Sequence, residues 1–361
     1  MRGRREIDWW TRRASRIVPA MPTVTRCLVL LLLAACGQHR GGGSPAIAPP
    51  APSDPPPPPV SPTPVAAAPE PTPVPPSPSA APPPAAPGTP GSSLVVTLHG
   101  SWSEAVEPFR VVGNIYYVGA RNIASYLITT PRGHILLATG TREMVPVVRA
   151  SIAKLGFKLA DIKIMLSGHA HFDHVQGHAA MQRATGAKVM ALGDDALALE
   201  SGTDRSPLGA EGWDPVHVDR VLKDGDTVTL GGTTMKAIWA PGHTPGCTVW
   251  TTKVIEQPRT YSVVFYACAG PNAGVQIVGN PRFPTLADDA MASFRRLAQD
   301  KPDIVLLMHP ADLFKDKVER IKAGETPHPL YNPAGWAKLM ADAEADLQHR
   351  IDAERTRPAA P

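Results

Sequence analysis

Residues 169–174 read His-Ala-His-Phe-Asp-His, four ligand-type side chains within six positions. Imidazole nitrogens and carboxylate oxygens suit a borderline cation such as Zn²⁺, and this many in one tight turn can serve two adjacent coordination spheres. The residues upstream set the geometry. Ile162, Ile164, Met165 and Leu166 form an apolar run of strand length, Ser167-Gly168 ends it, and a helix is expected to begin near His174. The ligand candidates then fall on the loop at the carboxyl end of a buried strand. Polar surface loops seldom hold three histidines and an acid at this spacing, so the segment reads as a hydrolytic metal site.

Not all of the 361 residues can pack into a core. Of the 42 prolines, 22 lie between Gly41 and Pro90, and residues 45–90 hold almost no large apolar side chains. Such a segment cannot offset the entropy of ordering and is expected to be an extended, polyproline-like tether. Its roughly fifty residues, at about 3.1 Å each, would reach on the order of 150 Å. A ligand for a proline-binding module is the alternative to a plain spacer.

Upstream of the tether, Arg26 precedes the run Cys27-Leu28-Val29-Leu30-Leu31-Leu32-Leu33-Ala34-Ala35-Cys36. A basic flank and a short apolar run ending in small residues form a secretory signal, whereas a membrane span needs about 20 apolar residues. The ending Leu33-Ala34-Ala35-Cys36 resembles a bacterial lipobox. That resemblance implies removal of 1–35 and a lipid on Cys36, and Gly37 in place of an aspartate favours the outer membrane over the inner one, facing the periplasm. An ordinary cleaved signal that happens to contain cysteine is the competing reading. Translation starts at Met1 or at Met21, because 1–20 is arginine-rich for a signal. The expected organisation is a signal over 1–35, a lipidated tether over 36–93 and a catalytic domain over 94–357.

Residues 1–35 hold seven arginines against Glu6 and Asp8, so their removal takes the formal charge from +4 to about −1. The basic balance is therefore no argument for nucleic acid, and none is expected as a partner. Cys27 leaves with the signal and Cys36 takes the lipid, which leaves Cys247 and Cys268 in an oxidising compartment.

The remainder reads as α/β. Strands are expected over 109–118, 124–129, 134–137, 163–166, 188–191, 227–230, 234–239, 248–252, 261–267 and 304–307, and helices over 144–155, 175–185, 196–200, 287–298, 313–322 and 333–354. Strand runs interleaved with helices predict two sheets packed face to face with helices outside, a four-layer αβ/βα sandwich. Two further histidines follow apolar strands as the first group does. His243 lies in Pro241-Gly242-His243-Thr244-Pro245-Gly246, and His309 follows Ile304-Val305-Leu306-Leu307-Met308. Either one alone would more often be a hydrogen-bonded structural residue; the repeated pattern points to one shared site.

These three segments resemble the zinc motifs of the metallo-β-lactamase superfamily. Pro108-Phe109-Arg110 leading to Tyr116-Tyr117-Val118-Gly119, Gly279-Asn280-Pro281-Arg282-Phe283-Pro284, Asp288-Asp289 and Asn332-Pro333-Ala334-Gly335-Trp336 resemble its subclass B-three β-lactamases over roughly 101–351. The resemblance implies one zinc on His169, His171 and His243 and a second on Asp173, His174 and His309. A hydroxide shared by the two ions would be the nucleophile, since zinc lowers the pKa of bound water to about 7. Asp173 would orient it, and a small β-lactam would be the substrate of a monomer anchored through its lipid.

Three positions depart from the family pattern. Ala138 stands where an aspartate usually follows the strand at 134–137, and loss of such a supporting carboxylate typically costs about 10- to 100-fold in affinity or activity. Ala269 and Gly270 occupy a region where many relatives carry serine near the substrate carboxylate, leaving Asn272 as the polar candidate. Pro302 replaces a cysteine that forms a disulfide in many subclass members. Trp102 matches a position that leans over the active-site mouth, with core packing an equal alternative, and His178 reads as a surface or supporting residue.

A cysteine near position 268 binds zinc in another branch of the superfamily, so ligation competes with a disulfide at Cys268. Three protein ligands already serve the second metal and leave the open position that a catalytic zinc keeps. If 248–252 and 261–267 form a hairpin centred between Gln257 and Pro258, Cys247 and Cys268 face each other, which favours the disulfide. Two other functions compete with lactam hydrolysis. A lactonase or thioesterase of the same fold usually has a metal-bridging aspartate after the strand at 261–267, where this chain has Cys268-Ala269. An envelope lipoprotein of weak activity is the other alternative, which Ala138 keeps open.

Overall fold

The computed structural model describes residues 102–356, except 257, 269 and 311–315. The signal, Cys36 and the proline-rich tether lie outside the described residues. Seven strands form one sheet in chain order: β1 (Phe109–Val112), β2 (Ile115–Tyr117), β3 (Tyr126–Thr130), β4 (Gly133–Leu137), β5 (Ile162–Leu166), β6 (Lys188–Leu192) and β7 (Arg220–Leu222). The pairs from β1 to β4 are antiparallel, and those from β4 to β7 are parallel. The second sheet runs β12 (Ile304–Leu307), β11 (Arg259–Tyr266), β10 (Thr248–Glu256), β9 (Thr233–Trp239), β8 (Thr227–Leu230), with only β11 and β12 parallel.

Parallel neighbours need a crossover, and each one here contains a helix. α1 (Met144–Lys154) joins β4 to β5, α2 (Phe172–Val175) and α3 (His178–Thr185) join β5 to β6, α4 (Gly193–Ser201) joins β6 to β7, and α5 (Leu286–Leu297) joins β11 to β12. Two more helices, α6 (Lys317–Lys322) and α7 (Gly335–Arg355), end the described chain.

Period-two alternation sorts the strand side chains into layers. Tyr126, Ile128, Ile135, Leu137 and Leu166 face the second sheet and pack with Trp250, Val263 and Phe265. Leu127, Leu136 and Met165 point the other way, onto Val148 and Ile152 of α1 and Met181 of α3. On the far side of the second sheet, Tyr266 meets Trp336 of α7 with ring centroids 5.3 Å apart. Helices thus cover both outer faces, and β4, β5 and β11 carry mostly apolar buried runs, whereas β8, β9 and the far half of β10 alternate buried and exposed side chains. Phe265 fills the space between the sheets against Tyr126, and truncating such a ring to alanine costs about 3–5 kcal/mol.

Several expected elements differ in detail. The strand expected over 109–118 is a hairpin, because Gly113 at φ +53° turns the chain between Val112 and Ile115. The helix expected over 175–185 starts earlier and is interrupted. Thr139 N–H and Gly140 N–H, at 3.0 and 3.2 Å, donate to the His174 carbonyl, and Gly177 N–H donates to Gly140 O. Both groups are thereby diverted from the helical ladder, so α2 ends and α3 begins anew at His178. Because α2 begins at Phe172, Asp173 and His174 sit on a helical turn instead of the loop before it. The short strand β7 was not foreseen, since its three residues carry too little pattern.

Candidate metal centre

The end of β5 is pinned to the second sheet before the ligand segment begins. Trp250 Nε1 donates to Ser167 O at 2.8 Å, and Thr248 N donates to Gly168 O at 2.7 Å. From that fixed point the chain bends through His169, passes His171 in extended backbone, and the α2 turn brings Asp173 and His174 back to them. His243 comes from the turn between β9 and β10, and His309 from the end of β12.

One ligand atom each from His169, His171 and His243 lies within 4.8 Å of the others, and the same holds for His169, Asp173 and His174. Asp173 Oδ2 is 3.3 Å from His174 Nε2 and 3.4 Å from His309 Nε2, and these two nitrogens are 3.2 Å apart. Donor atoms about 2.1 Å from a tetrahedral ion are about 3.4 Å from one another. The Asp173–His174–His309 triangle therefore has the dimensions of three ligands around one ion.

Protonation states suit the same purpose. Burial pushes His169, His171, His174 and His243 down from the ordinary imidazole value, His174 to about 3, and neighbouring imidazoles oppose further positive charge. Burial raises the Asp173 carboxyl, but His174 and His309 beside it outweigh that effect and hold it well below the usual range. His169, His171, His174 and His243 thus resist protonation beside a carboxylate whose ionised form is favoured. His243 Nδ1 lies 2.7 Å from Gly270 O, a group that can only accept, so that nitrogen carries the proton and Nε2 is left with its lone pair. Both ring nitrogens of His169, Nε2 of His171 and Nδ1 of His174 are buried without a hydrogen-bond partner. Buried polar atoms left unpaired are costly, and a divalent cation would take up Nε2 of His171 and one nitrogen of His169, whereas His174 faces the second triangle through its other nitrogen, Nε2.

Trp102 lies 5.9 Å from Phe172 and 6.5 Å from His309 between ring centroids, which places an apolar wall beside the exposed histidine. Cys247 and Cys268 are disulfide-bonded with Cα atoms 5.9 Å apart, in the register that pairs Trp250 with Phe265. Asn272 lies in the loop after β11, and its carbonyl accepts from Arg350 Nη2 at 2.9 Å. His178 is not a surface residue. It is fully buried, with Nδ1 2.8 Å from Thr139 Oγ1, because its helix packs its first turn onto the 138–140 turn.

The sequence model of the metallo-beta-lactamase superfamily matches residues 118–309, from just after β2 through His309. The chain belongs to that superfamily. Among solved structures, the FEZ-1 metallo-beta-lactamase of Legionella gormanii is similar at 37% identity and TM-score 0.67, over 71% of this chain and 99% of its own. BJP-1, a subclass B3 metallo-beta-lactamase of Bradyrhizobium japonicum, is similar at 36% identity and TM-score 0.66, over 71% of this chain and 98% of its own. A hydroxyacylglutathione hydrolase of Hyphomonas neptunium is 31% identical over 34% of this chain and 40% of its own, and a probable metallo-hydrolase of Burkholderia pseudomallei is 32% identical over 27% and 33%. The chain spans less than half the length of these two curated relatives.

This superfamily hydrolase has features that sequence reasoning passed over. Asp195, in the first turn of α4, accepts from Ala170 N, Thr244 Oγ1 and Gly246 N at 2.8, 2.7 and 2.9 Å. Burial raises its carboxyl to about 6 against the opposing pull of those three donors. The available signal was Gly193-Asp194-Asp195 directly after an apolar strand, the same placement that singled out His309. Ala138 is fully buried at φ +63°, a left-handed conformation rare for a residue with a Cβ.

Proposed function

We propose that this hydrolase opens the amide bond of β-lactams with two zinc ions, one held by His169, His171 and His243 and the other by Asp173, His174 and His309. The observation that carries the reading is the convergence of both triads in a fold matched along almost the whole length of two metallo-beta-lactamases. Zinc, when bound, would lower the pKa of water to about 7 and polarise the lactam carbonyl. The chain's own part is to place and exclude. The Gly270 carbonyl fixes the His243 ring, so its Nε2 stays directed by the protein. Asp173, held ionised, accepts a hydrogen bond from the attacking water and orients it. Trp102 and Phe172 form the apolar side of the mouth against which a ring substituent packs, with Asn272 the polar candidate for the substrate carboxylate.

The curated relatives favour a second reading, thioester hydrolysis, over about a third of the chain. The segment after β11 reads Ala267-Cys268-Ala269-Gly270 and offers no carboxylate to bridge two ions, which supports the lactam reading. Purified protein assayed against a penicillin, a cephalosporin, a carbapenem and a hydroxyacylglutathione thioester, with and without chelator, separates the two. Chelator-sensitive turnover of lactams is expected; turnover of the thioester alone overturns the reading.

The reading extends to location: a lipid on Cys36 holds the enzyme at the outer membrane, with the proline-rich segment as spacer. Cys36→Ala is expected to release the protein from membranes, and persistent association after high-salt washing would contradict lipidation. Starting the chain near Leu94 should leave kcat unchanged.

A further inference from the structure

We infer that Asp195 is a positioning residue that locks two ligand-bearing loops together and supports one of the two metal sites far more than the other. The inference rests on the dizinc reading of the histidine cluster. Asp195 is 2% exposed. Its Oδ2 accepts from Ala170 N and Thr244 Oγ1, and its Oδ1 from Gly246 N. Ala170 stands between His169 and His171, while Thr244 and Gly246 follow His243. A single carboxylate thus ties the segment carrying two ligands of the first site to the turn carrying the third.

The packing around it leaves little tolerance. A Cβ on Gly246 would meet Leu192 O at 2.3 Å and Asp195 N at 2.5 Å, so glycine is what lets the His243 turn approach α4 closely. Among the described residues no lysine or arginine pairs with Asp195. A buried carboxylate without a cation is costly unless donors occupy its oxygens, and all three donors here come from the metal loops.

The second site is anchored by other means. The carbonyl of His174 is held by Thr139 and Gly140 amides, and His309 follows β12. Of the three donors to Asp195, Thr244 and Gly246 belong to the His243 turn and Ala170 lies between His169 and His171, ahead of the α2 turn that carries Asp173 and His174. Loosening Asp195 should therefore shift His243 against His169 and His171 while Asp173, His174 and His309 keep their places.

Asp195→Asn tests this with minimal change of volume. An amide has one acceptor oxygen, so it can serve the Gly246 side or the Ala170–Thr244 side but not both. Thr244→Val is the milder partner, removing only the hydroxyl. Each metal-free variant is first checked by circular dichroism and thermal unfolding, then titrated with zinc against a chromophoric chelator and with cobalt(II) followed by visible absorption. The expected result is two equivalents bound by the wild type. In Asp195→Asn one site should weaken by about 10- to 100-fold with the other nearly unchanged, and the cobalt band of the three-histidine site should be lost. Thr244→Val should weaken the same site less. Equal weakening of both sites, or two undisturbed sites in folded Asp195→Asn, overturns the inference. If Asp195→Asn does not fold, Thr244→Val decides by the same criterion. A wild type that binds no zinc instead overturns the dizinc reading, and the inference falls with it.

Discussion

His178 Nδ1 and Thr139 Oγ1 lie 2.8 Å apart in a fully enclosed pair behind the His174 turn. Burial pushes His178 down to about 4, with the Leu166 carbonyl opposing. The unfolded chain, with imidazole near about 6.5, therefore binds more protons than the folded one between the two values. The stability this residue contributes is full above about pH 6.5 and is lost as pH falls from there through about 4. In metal-free protein, His178→Asn should flatten the loss of unfolding free energy over that window by an amount on the order of 3 kcal/mol. Denaturant titrations at a series of pH values check this, and an unchanged slope would contradict it.

Ala138 sits at φ +63° immediately before Thr139. Left-handed backbone costs alanine about 1–2 kcal/mol, whereas glycine adopts it freely and aspartate tolerates it. Ala138→Gly should raise the stability of the metal-free protein by up to about 1 kcal/mol, the gain being reduced by glycine's entropy in the unfolded chain. Ala138→Asp should raise zinc affinity or turnover by supplying a carboxylate beside the metal-bearing turn. If both stay unchanged or fall in Ala138→Asp, another group already provides that support.

The disulfide between Cys247 and Cys268 closes the β10–β11 hairpin at its base, one residue beyond Gly246. Replacing both cysteines by alanine should cost about 2–4 kcal/mol in chemical denaturation. The same variant should still bind two zinc ions. Loss of one ion would make Cys268 a ligand and contradict its structural role.

Much of the site was legible because its signals are local. Four donors within 169–174, and two histidines each placed after an apolar strand, can be read without knowing the fold. The sheets were legible for the same reason, since their strands carry apolar runs, as in β4, β5 and β12, or apolar alternation, as in β9 and β10. What the sequence hid depends on contacts between distant segments. His178 reads as a surface or supporting residue, and only the packing of α3 on the 138–140 turn decides for the second. The break between α2 and α3 arises from amides more than thirty residues upstream that take the His174 carbonyl. Asp195 looks like an ordinary acid in the first turn of a helix, and its role appears only when the two metal loops fold around it.

Zinc titration of the metal-free enzyme, with hydrolysis of a chromogenic cephalosporin as the readout, tests the central proposal most directly. The account predicts no turnover without metal, recovery as zinc is added, and saturation at two equivalents per chain. Two equivalents bound with no lactam hydrolysis at any zinc level would contradict it.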